Sequence, residues 1–130
     1  MWEAMVRHAK EWAPLEACGL VGGRTGPGGG EALVFQPTPN EAASPVFYTV
    51  PPREILRFQR RLDEEGLELV AVFHSHPATP AYPSPTDVRL AFYPDAVYLI
   101  LSLAAEPPVL RGFHIQDGAV REVPVEIEPS

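Results

Sequence analysis

Four side chains within one short stretch could form a hydrolytic centre: His74 and His76, then Ser84 and Asp87. Residues i and i+2 of a strand project from one face, so His74 and His76 can converge on one ion. Asp87 adds a carboxylate. Two imidazoles and a carboxylate suit a catalytic zinc, at about 2.0–2.2 Å per ligand, with a fourth position left to water. Ser84 and Asp87 also have a purely structural reading. Ser-X-X-Asp ahead of a helix is a capping box, with Ser84 as N-cap and Asp87 at N3. The readings are compatible, because a cap can hold the helix end while the carboxylate turns to a metal.

The elements that must position these groups are legible as periodicity. Trp2, Met5, Val6, Ala9 and Ala13 form a helical stripe that ends near Pro14. Residues 17–21 read as a short strand. Residues 22–30, with six glycines, read as a flexible hairpin turn; they lack the Gly-Lys-Ser/Thr ending of a phosphate loop. Residues 31–36 form the return strand, 37–45 are irregular, and 46–50 read as another strand. Pro51 and Pro52 suit a helix start. Ile55, Phe58 and Leu62 line that helix's apolar face, and Gly66 stops it. The continuous apolar run Leu69-Val70-Ala71-Val72-Phe73 fits a central strand covered on both faces, leading directly into His74. A short helix follows over 84–91. Strands are expected at 97–103, 109–115 and 120–127, the last two joined by an Asp117-Gly118 turn. The fold class is α/β (α+β), a mixed sheet with two or three helices.

Composition narrows the function. The 130 residues suit one domain, 1–130. Ten basic and 17 acidic residues give a net charge of −7, which argues against a nucleic-acid partner. No apolar run approaches the ~20 residues of a membrane span. Met1-Trp2-Glu3-Ala4 lacks the basic and apolar regions of a secretory signal. A soluble cytoplasmic protein is the expectation. The single cysteine, Cys18, excludes an internal disulfide and any Cys₄ or Cys₂His₂ zinc site. Within an apolar strand, it reads as a small buried side chain rather than a nucleophile. His8 and His114 have no matched partners, and Trp2 and Trp12 read as packing residues.

Several His-X-His architectures fail on this sequence. A metallo-β-lactamase-like site would continue into Asp-His, but Pro77-Ala78 follows. A cupin would place a glutamate a few residues on, and none occurs until Glu106. A (β/α)₈ hydrolase needs roughly 250 residues. Zinc deaminases need Pro-Cys-X-X-Cys, and the helical His-Glu-X-X-His motif is absent. What remains is His-X-His, seven residues, Ser, two residues and Asp, with Glu16 upstream. This resembles the JAMM signature of MPN-domain (Mov34-type) zinc metalloproteases. Asn40-Glu41-Ala42-Ala43-Ser44-Pro45, Phe47-Tyr48 and His74-Ser75-His76-Pro77 are similar to the small free-standing bacterial branch.

The resemblance implies an MPN fold, a curved mixed sheet flanked by helices and cytidine-deaminase-like. It implies one zinc per chain on His74, His76 and Asp87, with Glu16 as general acid/base. Ser84 would position the water or stabilise the oxyanion. The implied substrate is a ubiquitin-like sulfur carrier or its conjugate, cut after its Gly-Gly end. The short connection 88–96 leaves no room for clamps on two ubiquitins. The chain starts directly in the first helix, without the edge strand often found before it in the family, so the expected edge is either truncated or completed by a homodimer. Two alternatives within the fold are a non-catalytic scaffold, which would not need the five polar residues, and a DNA-repair-associated member.

Overall fold

A computed structural model describes residues 1–127; the last three residues of the expected 1–130 domain lie outside the described residues. The element order is α1 (Trp2–Trp12), β1 (Cys18–Gly26), β2 (Gly29–Thr38), α2 (Pro52–Glu65), β3 (Glu68–His76), α3 (Pro85–Arg89), β4 (Val97–Ser102), β5 (Val109–Gln116) and β6 (Ala119–Val123). The strands form one six-stranded sheet in the order β2-β1-β3-β4-β5-β6. Only β3 and β4 pair in parallel; the other neighbours are antiparallel. The α/β expectation is met, and β3 is central.

Strand alternation splits the core into two layers. On one face Ala71, Phe73, Leu99 and Leu101 pack with Met5 and Ala9 of α1. On the other, Val72, Tyr98, Ile100 and Phe113 form one cluster, and Cys18 and Leu20 meet Phe58 and Leu62 of α2 in another. His74 and His76 share the face of Val72, opposite α1. Both are almost fully buried.

Four expected boundaries need correction. The glycine-rich stretch is a hairpin of paired strands rather than a loop, with Gly26 opposite Gly29. Its glycines allow close approach: a Cβ on Gly23 would collide with the Glu31 carbonyl oxygen across the pair. Residues 46–50 form no strand, because their backbone groups bond inward to the Asn40 side chain. Thr49 N–H donates to Asn40 Oδ1 at 2.9 Å, and Phe47 C=O accepts from Nδ2 at 3.1 Å. The helix expected over 84–91 spans only Pro85–Arg89. The last strand ends at Val123 rather than 127, where Pro124 offers no N–H to the ladder. The Asp117-Gly118 turn forms as expected, with φ of 52° and 80° at its two residues.

Candidate metal centre

The polar side chains of the centre come from three places: the segment before β1, the end of β3 and the first turn of α3. β3 supplies two of them from its carboxyl end, with Ser75 between pointing the other way. Ser75 Oγ accepts the Ala17 N–H at 2.8 Å, and Ser75 N–H donates to Ala17 C=O at 2.9 Å. These bonds set the segment carrying Glu16 against the histidine strand. The His76 carbonyl accepts the Leu103 N–H at 3.0 Å, which fixes the strand end from the β4 side.

The capping box forms. Asp87 N–H donates to Ser84 Oγ at 3.0 Å, and Ser84 N–H donates to Asp87 Oδ2 at 2.9 Å. The same Oδ2 lies 3.1 Å from His74 Nε2 and 3.1 Å from His76 Nε2. The two Nε2 atoms are 3.1 Å apart. One donor atom from each of Glu16, His74, His76 and Asp87 lies within 4.8 Å of the others, and all four residues are buried. The structure thus brings together four of the five candidate residues, and holds Ser84 beside them through the cap.

Second contacts orient the rings. His76 Nδ1 lies 2.8 Å from the Pro80 carbonyl. A carbonyl can only accept, so Nδ1 carries a proton; Nε2 then donates to Asp87 when the ring is protonated and offers a lone pair to a metal when it is neutral. The His74 ring stacks on Tyr48, with centroids 4.3 Å apart and planes 20° apart. Among the described residues, His74 Nδ1 and Glu16 Oε1 are buried without a hydrogen-bond partner.

The electrostatics follow from burial and proximity. Burial pushes the Glu16 carboxyl up to about 8, a rise that His76 partly offsets and Asp87 reinforces. Burial also acts to raise Asp87, but hydrogen bonds from both histidines and the Ser84 N–H outweigh it, leaving Asp87 well below the usual carboxylate range. His74 is lowered, chiefly by burial, against the pull of Asp87. His76 is raised: burial opposes its charge, yet its bonds to Asp87 and the Pro80 carbonyl prevail. Asp87 is therefore ionised at neutral pH while Glu16 is poised near it. Burial pushes the Cys18 thiol up to about 11, which agrees with a packing role.

Three contributors escaped the sequence reading. Asn40 is 3% exposed, and its amide donates to Glu16 C=O at 3.0 Å. Tyr48 supplies the stacking face. His8, given no role, reaches the Cys18 carbonyl at 2.8 Å and the Thr38 carbonyl at 3.2 Å, tying α1 to β1 and β2. Two signals were available: Asn40 and Tyr48 lie in the segments that resemble the bacterial branch, and Asn40 is the sole asparagine, inside an irregular segment where Asx turns are favoured. Beside Asp87 opens a cavity of about 280 Å³, walled by Phe47, Tyr48, Val50, Leu90, Phe92 and Tyr93 among others.

A mixed sheet with a buried two-histidine, two-carboxylate cluster at its centre defines a class of metallohydrolase-like domains, and the comparisons identify which. The model for prokaryotic homologs of the JAB domain matches residues 1–115. The chain belongs to this family, the JAMM/MPN group. A CysO-cysteine peptidase of Mycobacterium tuberculosis is 42% identical over 126 residues, covering 95% of this chain and 84% of the relative. A probable TtuB-protein conjugate cleaving protease of Thermus thermophilus is 40% identical over 85 residues, 65% of this chain and 54% of that one. A desampylase of Haloferax volcanii is 34% identical over 105 residues, 77% and 74% of the two chains. Among solved structures, a Desulfitobacterium hafniense protein superposes with a TM-score of 0.90 at 39% identity, covering 99% of this chain and 89% of its own. A JAB1/MPN domain protein of Archaeoglobus fulgidus shares the fold, with a TM-score of 0.60 at 18% identity over 95% and 90% of the chains.

Proposed function

We propose that this chain is a zinc metallopeptidase that hydrolyses the amide bond following the C-terminal Gly-Gly of a ubiquitin-like sulfur carrier, acting as one domain in the cytoplasm. The observation that carries the reading is the convergence of Glu16, His74, His76 and Asp87 within 4.8 Å, with Glu16 Oε1 unpartnered. The names of the peptidase, conjugate-cleaving and desampylase relatives support the substrate class.

The donors fit zinc. In a tetrahedral site with ligand bonds of about 2.0–2.2 Å, neighbouring donors stand about 3.3–3.6 Å apart. The three donor atoms here form a triangle of 3.1 Å sides, so small adjustments open it to that size. His74, His76 and Asp87 would hold the ion, which when bound supplies a water acidified toward neutrality and a polarising charge for the amide carbonyl.

The chain's own residues do the rest. Glu16, in its ionised form, takes the proton of the attacking water and returns it to the leaving amine. The Ser84 hydroxyl accepts the Asp87 N–H, so its own proton is free to reach the oxygen on which charge develops. A well-placed donor of this kind contributes about 3–4 kcal/mol. The scaffold alternative has no observation in its favour, since a scaffold has no use for a buried, unpartnered Glu16.

The test is incubation of the zinc-loaded protein with ubiquitin-fold carriers extended beyond Gly-Gly, with products read by mass spectrometry. Cleavage after the second glycine is expected. Intact fusions across a panel of carriers would refute the reading.

A further inference from the structure

Glu16 sits on no helix or strand, yet a general acid/base must be held to a fraction of an ångström. Its backbone is held entirely by one irregular loop. Glu16 N–H donates to the Ser44 carbonyl at 2.9 Å, and Glu16 C=O accepts from Asn40 Nδ2 at 3.0 Å. Asn40 Nδ2 also donates to Phe47 C=O at 3.1 Å. Its Oδ1 accepts Ala42 N–H at 3.0 Å and Thr49 N–H at 2.9 Å. All four hydrogen-bonding positions of the amide are used, and only one orientation of its O and N satisfies them. The residues bonded to Asn40 adjoin others with a second task. Tyr48 stacks on His74, and Phe47, Tyr48, Thr49 and Val50 wall the cavity beside Asp87. One buried side chain thus joins the backbone of Glu16 to the wall of that cavity.

We propose that Asn40 is the positioning residue for Glu16, transmitting the arrangement of the 41–49 loop at the cavity wall to the carboxylate that handles the proton. The inference rests on the proposed role of Glu16. Asn40→Asp separates its functions, because aspartate keeps both acceptor bonds to Ala42 and Thr49 but loses both donors, including the one to Glu16. A residue that only ordered the loop would tolerate this change better than one that places Glu16.

The experiment uses the full chain with a Gly-Gly-terminated ubiquitin-fold carrier fused to a fluorescent peptide. The kcat is read at the top of each variant's pH profile, so that an added charge that merely moves the profile does not count. Asn40→Asp is expected to lower kcat by about tenfold or more with KM within about threefold, zinc content per chain unchanged, and a cooperative melt. In a Glu16→Gln background it should cost no further turnover, because the group it positions is gone. A folded N40D variant with kcat within about twofold of the parent, or losses that multiply in the double variant, would overturn the inference. An inactive parent protein would instead sink the proposed function. If N40D does not fold, hydrogen exchange on the unaltered protein decides. The Glu16 and Thr49 amides should be protected to the same degree, and a freely exchanging Thr49 beside a protected Glu16 would also overturn it.

Discussion

At the scale of the residue, the centre concentrates opposite demands on two carboxylates, Glu16 and Asp87. Asp87 is held ionised by three donors, while Glu16 is left with one oxygen unpartnered. Glu16→Gln should retain zinc by elemental analysis and lose turnover by at least about a hundredfold. The same variant carries a stability signature. The folded state holds the Glu16 proton up to about pH 8, whereas the unfolded chain releases it near 4.5. The contribution of this group is therefore full below pH 4.5 and lost as pH climbs through 8. In urea melts of the metal-free protein, Glu16→Gln should match the parent at pH 4.5 and exceed it by roughly 1–3 kcal/mol at pH 8.5. A variant less stable than the parent at pH 8.5 would contradict the burial argument. Ser84 invites a similar separation. Ser84→Asn preserves an N-cap acceptor, and Ser84→Ala should cost about 1 kcal/mol of stability. Both should reduce kcat by about 10²-fold if the hydroxyl serves the oxyanion; an active Ser84→Asn would leave Ser84 only its cap.

At the scale of the element, local pattern was enough to read what alternation and punctuation encode. The apolar run into His74 gave β3, Gly66 with φ of 69° ended α2, and Asp117-Gly118 turned the last hairpin. Local pattern failed where a side chain from elsewhere supplied the hydrogen bonds. Residues 46–50 have strand-like composition, but Asn40 takes the N–H of Thr49 and the C=O of Phe47. It failed again where glycine marks closeness rather than freedom, as in the β1–β2 hairpin. That difference is measurable. Gly23→Ala should destabilise by about 2–4 kcal/mol in chemical denaturation, since its Cβ meets the Glu31 carbonyl oxygen across the bulge. Gly26→Ala, with nothing within 4 Å of the added carbon, should be neutral or slightly stabilising. Equal costs at the two positions would return the stretch to the status of a loose turn.

At the scale of the whole molecule, the candidate metal centre gathers residues from three separate segments of the sequence. Glu16 precedes β1, the histidines end β3, and Asp87 opens α3. No helix among the described residues is long and apolar enough to cross a membrane. Stripping zinc with a chelator should abolish turnover and lower the melting temperature, because an ion bound only by the folded state stabilises it by about 4 kcal/mol at a thousandfold excess over Kd. The same chelator should leave the melting temperature of Asp87→Ala unchanged; an equal drop there would place the stabilising ion elsewhere. The candidate residues could be read from the sequence because their spacing is local from His74 to Asp87. Their supports could not, because Ser75 bonds Ala17 across 58 residues, a contact that no window of sequence contains.

The hydrogen bond from Leu103 to the His76 carbonyl also has a consequence for the order in which the centre can be completed during synthesis. A chain emerging from the ribosome presents Glu16 first, the two histidines later, and the residue that pins the second histidine later still. Closing contacts so distant along the chain is entropically costly until the intervening strands are in place. Chains that end before Leu103 therefore carry Glu16, both histidines and Asp87 without the bond that fixes the end of the histidine strand.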